Sequence, residues 1–126
     1  MVEGIPKEVL VVEDDPIIRI IAADALGDCG IMAWEAGDAN EALQVLERHR
    51  GIGLLFTDVN MPGEMNGLGL AHQVSVIRPD IELIVTSGAV TLANTDLPDD
   101  GTFLPKPYQP ERLAQIVSEK LDVDRS

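Results

Sequence analysis

Short apolar runs alternate with longer amphipathic stretches along this chain of 126 residues. The runs are apolar almost throughout and lack a polar residue at every second position, which is typical of strands buried on both faces. Helix-length crossovers between such strands predict a parallel sheet covered by helices on both faces, a doubly wound α/β fold with five strands. The predicted strands are residues 9–12, 31–36, 52–59, 81–85 and 102–104.

The first predicted helix begins at an Asp15-Pro16 pair, which suits an N-cap followed by the first helical position. It closes in the segment 27–30, where two glycines lie close together. Its apolar residues recur at helical spacing and predict the core-facing stripe. They are Ile17, Ile18, Ile21, Ala22, Ala25 and Leu26.

The other crossovers differ in how strongly they predict a helix. Asp38, with Glu41 three residues later, predicts a capping box for the second helix. Its buried stripe is predicted to be Ala39, Ala42, Leu43 and Leu46. A third helix is predicted over 67–77 and a closing helix from about Gln109, whereas 88–101 is rich in turn formers and predicts at most a short or irregular fourth helix.

Charge and composition exclude several classes of function. Lys and Arg total 9 against 22 Asp and Glu, a net charge of −13, and aromatic residues make up only 3% of the chain. Such a chain is repelled by phosphate backbones and lacks platforms for base stacking, so we expect no direct nucleic-acid binding. One cysteine, no membrane-length apolar run and no targeting signal at 1–6 lead us to expect one cytoplasmic domain over 1–126, not inserted in a membrane.

Hydrophilic residues follow four of the predicted strands. Because ligands of such sheets bind outside the carboxyl ends of the strands, we expect these residues to meet in one cleft. Carboxylates about 4 Å apart repel by about 4 kcal/mol at an effective dielectric near 20, so they share a proton or recruit a cation. Oxygen ligands with open positions suit Mg²⁺. The residues are Glu13, Asp14, Asp58, Thr86, Ser87 and Lys106.

One of these carboxylates is a candidate nucleophile. Asp58 follows the apolar segment 54–56, where an acid chosen only for packing would be costly. A divalent metal and the nearby ammonium of Lys106 would neutralise the oxygens of a phosphoryl group transferred to Asp58. The hydroxyl of Thr86 could then donate to a phosphoryl oxygen, a contact absent before modification. The pattern therefore indicates a switch.

Four motifs in this order resemble the receiver domains of bacterial two-component response regulators. They are Val11-Val12-Glu13-Asp14-Asp15, Thr57-Asp58-Val59-Asn60-Met61-Pro62-Gly63, Val85-Thr86-Ser87-Gly88 and Phe103-Leu104-Pro105-Lys106-Pro107. Each motif alone is weak, but together they span nearly the whole chain and are specific. The resemblance implies a flavodoxin-like fold with strand order 2-1-3-4-5.

The resemblance also implies the phosphoacceptor and the metal site. Asp58 would accept phosphate from a histidine kinase or a histidine phosphotransfer protein. Asp14, Asp58 and the main-chain carbonyl of Asn60 would ligate Mg²⁺, with Glu13 acting through water. Such a domain signals to a partner protein and is not an enzyme beyond Mg²⁺-dependent self-phosphorylation and autodephosphorylation.

The remaining implied roles concern the bound phosphate and the switch. Thr86 and Lys106 would bind the acyl phosphate, with a cis peptide bond before Pro107. Phe103 stands where many receivers have Tyr, so it would form the aromatic part of the switch without a hydroxyl. The shortened segment 97–100 resembles receivers that occur as single domains or attached to hybrid kinases.

Two other classes of protein remain as alternatives at this point. A haloacid-dehalogenase-like phosphatase also uses an Asp nucleophile, but it would want a second acid two residues later, where this chain has Asn60. A binding module of the same fold would use metal or protein contacts without phosphorylation. Turnover of phosphate esters would favour the first, and a surface unchanged by a phosphoryl mimic would favour the second.

Overall fold

The computed structural model describes residues 8–89 and 91–121. It contains a sheet of five parallel strands in the order β2-β1-β3-β4-β5, which confirms the predicted doubly wound fold. The strands are β1 (Glu8–Val12), β2 (Met32–Ala36), β3 (Ile52–Asp58), β4 (Glu82–Ser87) and β5 (Thr102–Pro105). The helices are α1 (Pro16–Gly27), α2 (Ala39–Arg48), α3 (Gly67–Ile77) and α4 (Pro110–Leu121).

The sheet separates two aliphatic cores. Alternate residues of the central strands point to opposite faces: Leu10 and Leu55 join the core beneath α2 and α3, while Val9 and Leu54 join the core beneath α1 and α4. All four side chains are fully buried. Burial on both faces fixes the register of the central strands and therefore the position of their polar ends.

Local capping residues begin the first two helices. The side chain of Asp15 accepts hydrogen bonds from the backbone N–H groups of Ile17 and Ile18, so it is the N-cap of α1 as predicted. Asp38 caps α2 by accepting from the N–H of Glu41 at 2.8 Å. The reciprocal half of the predicted capping box is wrong, because the Glu41 carboxylate accepts from the N–H of the preceding Gly37, at 2.7 Å.

The α1 stripe is only partly buried. Ala22 and Leu26 are buried, but the side chains of Ile17 and Ile21 remain 68% and 49% exposed. The helix packs Ala22 and Leu26 against the sheet, so part of the predicted stripe lies in solvent.

The connection from β4 to β5 contains no α-helix within the described residues 88–89 and 91–101. A single 3₁₀ turn spans Asn94–Asp96, which agrees with the expected short or irregular helix. Leu97 is buried and Phe103 is half-buried against the α2/α3 core. The expectation about residues 1–6 lies outside the described residues. In the part of the chain that the structure covers, no helix has the length and apolarity needed to cross a bilayer.

Candidate functional site

Strand register brings the predicted site residues to one edge of the sheet. Asp58, the last residue of β3, is paired with Thr86 of β4. Ser87 is paired with Pro105, so Lys106 follows directly beside it. Glu13 follows β1, whose last residue lies beside Thr57. The predicted convergence of these polar strand ends is therefore what the structure shows.

The ammonium of Lys106 bridges two carboxylates from different strands. Its Nζ atom donates to Glu13 Oε1 and to Asp58 Oδ2, both at 2.9 Å. Glu13 and Asp58 are only 4% and 5% exposed. Buried carboxylates need a partner to offset the loss of hydration, and Lys106 supplies it.

Burial and pairing act in opposite directions on this trio. Burial raises the pKa of Glu13, and the hydrogen bond from Lys106 opposes that rise without cancelling it. Burial by itself lowers the pKa of Lys106, but its hydrogen bonds to Glu13 and Asp58 outweigh it and raise the pKa overall. Lys106 is consequently charged at neutral pH and available to neutralise anionic oxygens.

A third carboxylate completes an acidic cluster. Glu13, Asp14 and Asp58 each offer an oxygen, and these oxygens lie within 4.8 Å of one another. Three ionised carboxylates against one ammonium leave two negative charges, which one divalent cation neutralises. The donors are all oxygen, and Asp14 is exposed, so the cluster fits a hard cation such as Mg²⁺ that keeps several waters.

Asn60 links the loop after β3 to the end of β4. Its backbone N–H donates to Asp58 Oδ1 at 3.3 Å, and its side-chain Nδ2 donates to Ser87 Oγ at 3.2 Å. The structure therefore places the main chain of Asn60 beside the carboxylate whose metal it was expected to share.

Thr86 carries a buried hydroxyl beside Asp58. The residue is 1% exposed, and its Oγ1 atom has no hydrogen-bond partner within the described residues. Burying a hydroxyl without a hydrogen-bond partner costs free energy, so the Thr86 hydroxyl is a donor available to an acceptor that binds at this site. Phe103 of β5 is paired with Val85 of β4, and its side chain packs against the core beneath α2 and α3.

Two residues at the site are absent from the sequence-based prediction. Arg19 donates from Nη1 to the main-chain oxygen of Glu13 at 2.8 Å. A Cβ on Gly67 would overlap the main-chain oxygen of Asp58, so α3 can begin against β3 only with a glycine there. One signal was available for Arg19: it is the single charged residue in the apolar segment 16–23.

An open groove runs beside the site. Its volume is about 530 Å³, and Lys106 forms part of its wall. The other lining residues are Ile18, Ile21, Gly88, Pro107 and Tyr108. The Lys106–Pro107 peptide bond in this wall is cis, as the resemblance implied.

Comparison with protein families and curated proteins gives a consistent result. The family model described as the response regulator receiver domain matches residues 9–118. The response regulator receiver protein CpdR of Brucella abortus is 30% identical over 118 residues, which cover 91% of this chain and 97% of CpdR. The sensor kinase CckA of the same organism is 37% identical over 118 residues, or 90% of this chain, but the match spans only 12% of CckA. The match to the regulator NtrC of Azospirillum brasilense likewise spans 24% of that protein.

Solved structures agree with the sequence relatives. A response regulator receiver protein from Pseudomonas putida superimposes with a TM-score of 0.82 at 32% identity, covering 94% of this chain and 99% of that one. A CheY-like receiver domain from Methanospirillum hungatei JF-1 gives a TM-score of 0.82 at 28% identity, with coverages of 93% and 94%.

Proposed function

This chain belongs to the family of response regulator receiver domains, and on that premise we propose that Asp58 accepts a phosphoryl group from a phosphohistidine. The observation that carries the proposal is the bridge from Lys106 Nζ to Asp58 Oδ2 and Glu13 Oε1, each at 2.9 Å. The bridge holds a positive charge beside the carboxylate that would react. Without that charge, the carboxylates of the cluster would repel an anionic phosphoryl group.

The chemistry assigned to the chain's own residues is simple. A carboxylate oxygen of Asp58 forms a bond to phosphorus while the bond from phosphorus to the donor's imidazole nitrogen breaks, and the imidazole leaves. Lys106 moves from pairing with the free carboxylate to pairing with phosphoryl oxygens, whose charge it neutralises. Glu13 keeps the ammonium in position through its own hydrogen bond.

Receiver domains bind Mg²⁺ through acidic residues, and the oxygen donors of this cluster fit that ion. Asp14, Asp58 and the main-chain carbonyl of Asn60 would hold it, with Glu13 acting through water. When bound, the cation supplies charge neutralisation for the phosphoryl oxygens at a site where three carboxylates would repel them.

Thr86 gives the phosphorylated state a contact that the free state lacks. Its buried Oγ1 would donate to a phosphoryl oxygen, since it has no acceptor among the described residues. Hydrogen bonds to charged groups contribute about 1.5–3 kcal/mol, whereas a shift from 1:99 to 99:1 needs about 5.5 kcal/mol. Thr86 must therefore act together with Lys106 and the metal, and the half-buried Phe103 is the aromatic group proposed to respond.

The donor is proposed to be a histidine kinase or a histidine phosphotransfer protein. Sensor kinases such as CckA contain a region similar to this chain, and the family is a signalling domain and not a conventional enzyme. The product of phosphorylation would be a conformational signal read by a partner protein or an attached domain.

The test is intact mass spectrometry after incubation with Mg²⁺ and acetyl phosphate, which delivers phosphate without a protein donor. We expect one phosphoryl adduct on the native chain, none with Asp58→Asn, and none when Mg²⁺ is chelated. Asp15→Asn is the matched control, because it removes a nearby exposed acid but keeps an N-cap for α1. An undiminished adduct in Asp58→Asn would refute the assignment, and steady turnover of phosphate esters would favour a phosphatase.

A further inference from the structure

We propose that Arg19 is a positioning residue, which holds the acidic turn Glu13–Asp15 in the shape that binds the divalent cation. The inference rests on the proposed function, since it concerns the affinity of the same Mg²⁺ site. Arg19 itself touches none of the three carboxylates in the described hydrogen bonds; it acts through the main chain that carries two of them.

The guanidinium of Arg19 connects three parts of the fold. It lies on α1, its Nη1 donates to the main-chain oxygen of Glu13 at 2.8 Å, and its Nε donates to Glu35 Oε1 of β2 at 3.0 Å. The Arg19 side chain is 22% exposed, so the group is held between the two elements. Because the planar guanidinium of Arg19 is hydrogen-bonded through two of its nitrogens, its orientation is fixed. The guanidinium therefore fixes the position of the Glu13 carbonyl to which it donates.

Hydrogen bonds hold both ends of the acidic turn, at Glu13 and Asp15, whereas Asp14 between them is exposed. At the first end, Glu13 donates its N–H to Ala36 O and gives its carbonyl to Arg19. At the other end, Asp15 donates its N–H to Glu13 Oε2, and its carbonyl accepts from the N–H of Arg19. Arg19 therefore contacts both ends of the turn, once through its side chain and once through its main chain.

Asp14 depends on this arrangement more than its neighbours do. It is exposed, and its carboxylate makes no hydrogen bond within the described residues. Its position follows from the peptide planes on either side, and the preceding plane is the one whose oxygen Arg19 holds. Releasing that oxygen would let the peptide rotate and carry Asp14 away from Glu13 and Asp58.

A positioning role and a purely electrostatic role predict opposite effects. A guanidinium near the site repels a divalent cation, so removing only its charge would tighten Mg²⁺ binding. Removing the hydrogen bond to Glu13 would instead disorder the turn and weaken binding. Arg19→Lys separates the two, because it keeps the charge but loses the planar fork that reaches both Glu13 and Glu35.

The experiment measures Mg²⁺ binding directly by isothermal titration calorimetry on the full chain, with urea unfolding in EDTA to verify folding. We expect Arg19→Met and Arg19→Lys each to raise the dissociation constant about tenfold, the lower end of what outer partners of metal ligands contribute. Arg48→Met is the matched control: it removes one exposed positive charge from α2, and its constant should stay within about twofold of the native value. The Asp14 amide resonance should shift in both Arg19 variants without metal.

The outcomes distinguish this inference from the proposed function. If the native chain binds no Mg²⁺, the proposed metal site fails, and the inference fails with it. If the native chain binds Mg²⁺ but Arg19→Met and Arg19→Lys bind it as tightly or more tightly, only the positioning role is overturned. If Arg19→Met unfolds, Arg19→Lys decides the question through the same titration.

Discussion

Lys106 meets two requirements under the proposed function, because its ammonium balances buried carboxylates before phosphorylation and phosphoryl oxygens afterwards. Its side chain is 21% exposed, while those of Glu13 and Asp58 are 5% and 6% exposed. The ammonium thus approaches from the solvent side and closes over the two acids. A long side chain anchored at one edge of the sheet can change partners without moving its backbone.

Tyr108, two residues after Lys106, reports on the charge of the same cluster. Burial raises its pKa to about 12, the negative charges of Glu13 and Asp58 add to the rise, and Lys106 opposes it. Tyr108 is the one tyrosine in the chain, so its ionisation can be followed by ultraviolet absorbance without overlap. We expect a midpoint near 12 in the folded chain after a rapid pH jump, and a midpoint near 10.0 in urea.

Because folding raises the pKa of Tyr108, ionisation of its phenol lowers the free energy of unfolding. Folding favours the neutral phenol, so its contribution to the free energy of unfolding is complete below pH 10.0 and is lost as the pH rises through about 12. Glu13→Gln should lower the midpoint by removing one negative charge, whereas Glu119→Gln, at the far exposed part of α4, should leave it unchanged. A folded-state midpoint at 10.0 would contradict the burial of this ring.

At the scale of elements, the junction of β3 and α3 sets the position of Asp58. Gly67 begins α3 and donates its N–H to Val59 O at 2.9 Å. A Cβ there would overlap the carbonyl of Asp58, a main-chain group that cannot swing aside. Gly67→Ala should therefore lower the free energy of unfolding by about 2–3 kcal/mol and slow labelling of Asp58 by acetyl phosphate.

Gly69→Ala is the matched control in the same helix. Its Cβ would approach the flexible Met65 side chain at 3.1 Å, and alanine favours the helical backbone, so stability should hold or rise by about 0.5–1 kcal/mol. Urea unfolding followed by the fluorescence of Trp34, the one tryptophan, gives both values. Equal losses of unfolding free energy in the two variants would contradict the prediction that the contact between Gly67 and the Asp58 carbonyl excludes a side chain.

Elements were predictable where their signals are local. Apolar runs, the Asp15 cap and the turn formers after β4 act within a few residues, so the sequence indicated the strands, the start of α1 and the short 3₁₀ turn. The exposure of Ile17 was not predictable from periodicity, because adjacent stripes of α1 share the helical spacing and packing chooses between them. The hydrogen bond from the Gly37 N–H to the Glu41 carboxylate was not predictable either, because it depends on the backbone conformation just before α2.

The site was predictable to the extent that topology determines it. Parallel strands place their carboxyl ends at one edge of the sheet, so the sequence alone predicted that Asp58, Thr86 and Lys106 lie close together. Gly67 could not be predicted as part of the site, since its requirement comes from contact with the main-chain oxygen of Asp58. Arg19 was indicated only as a lone charge in an apolar segment, because residue type does not show which main-chain oxygen a guanidinium contacts.

At the scale of the whole molecule, access to Asp58 is the remaining requirement. Asp58 is 5% exposed, so under the proposed function a protein donor would have to place its phosphohistidine at the carboxyl edge of the sheet. Next to that edge, α1 presents an exposed apolar surface formed by Ile17, Ile20 and Ile21, which are 68%, 50% and 49% exposed. The groove that contains Ile21 also includes Lys106, so a donor covering this isoleucine surface would reach the site.

We expect Ile17→Ser combined with Ile21→Ser to slow phosphoryl transfer from a cognate histidine donor about tenfold or more, because exposed apolar anchors at interfaces are often worth over about 1 kcal/mol each. Labelling by acetyl phosphate, which needs no docking, should be unchanged. Ile77→Ser is the control: Ile77 is 52% exposed, but it lies at the end of α3, which covers the opposite face of the sheet. Equal slowing with both donors would mean that the α1 change distorts the site, and a comparable loss in Ile77→Ser would place the docking surface elsewhere.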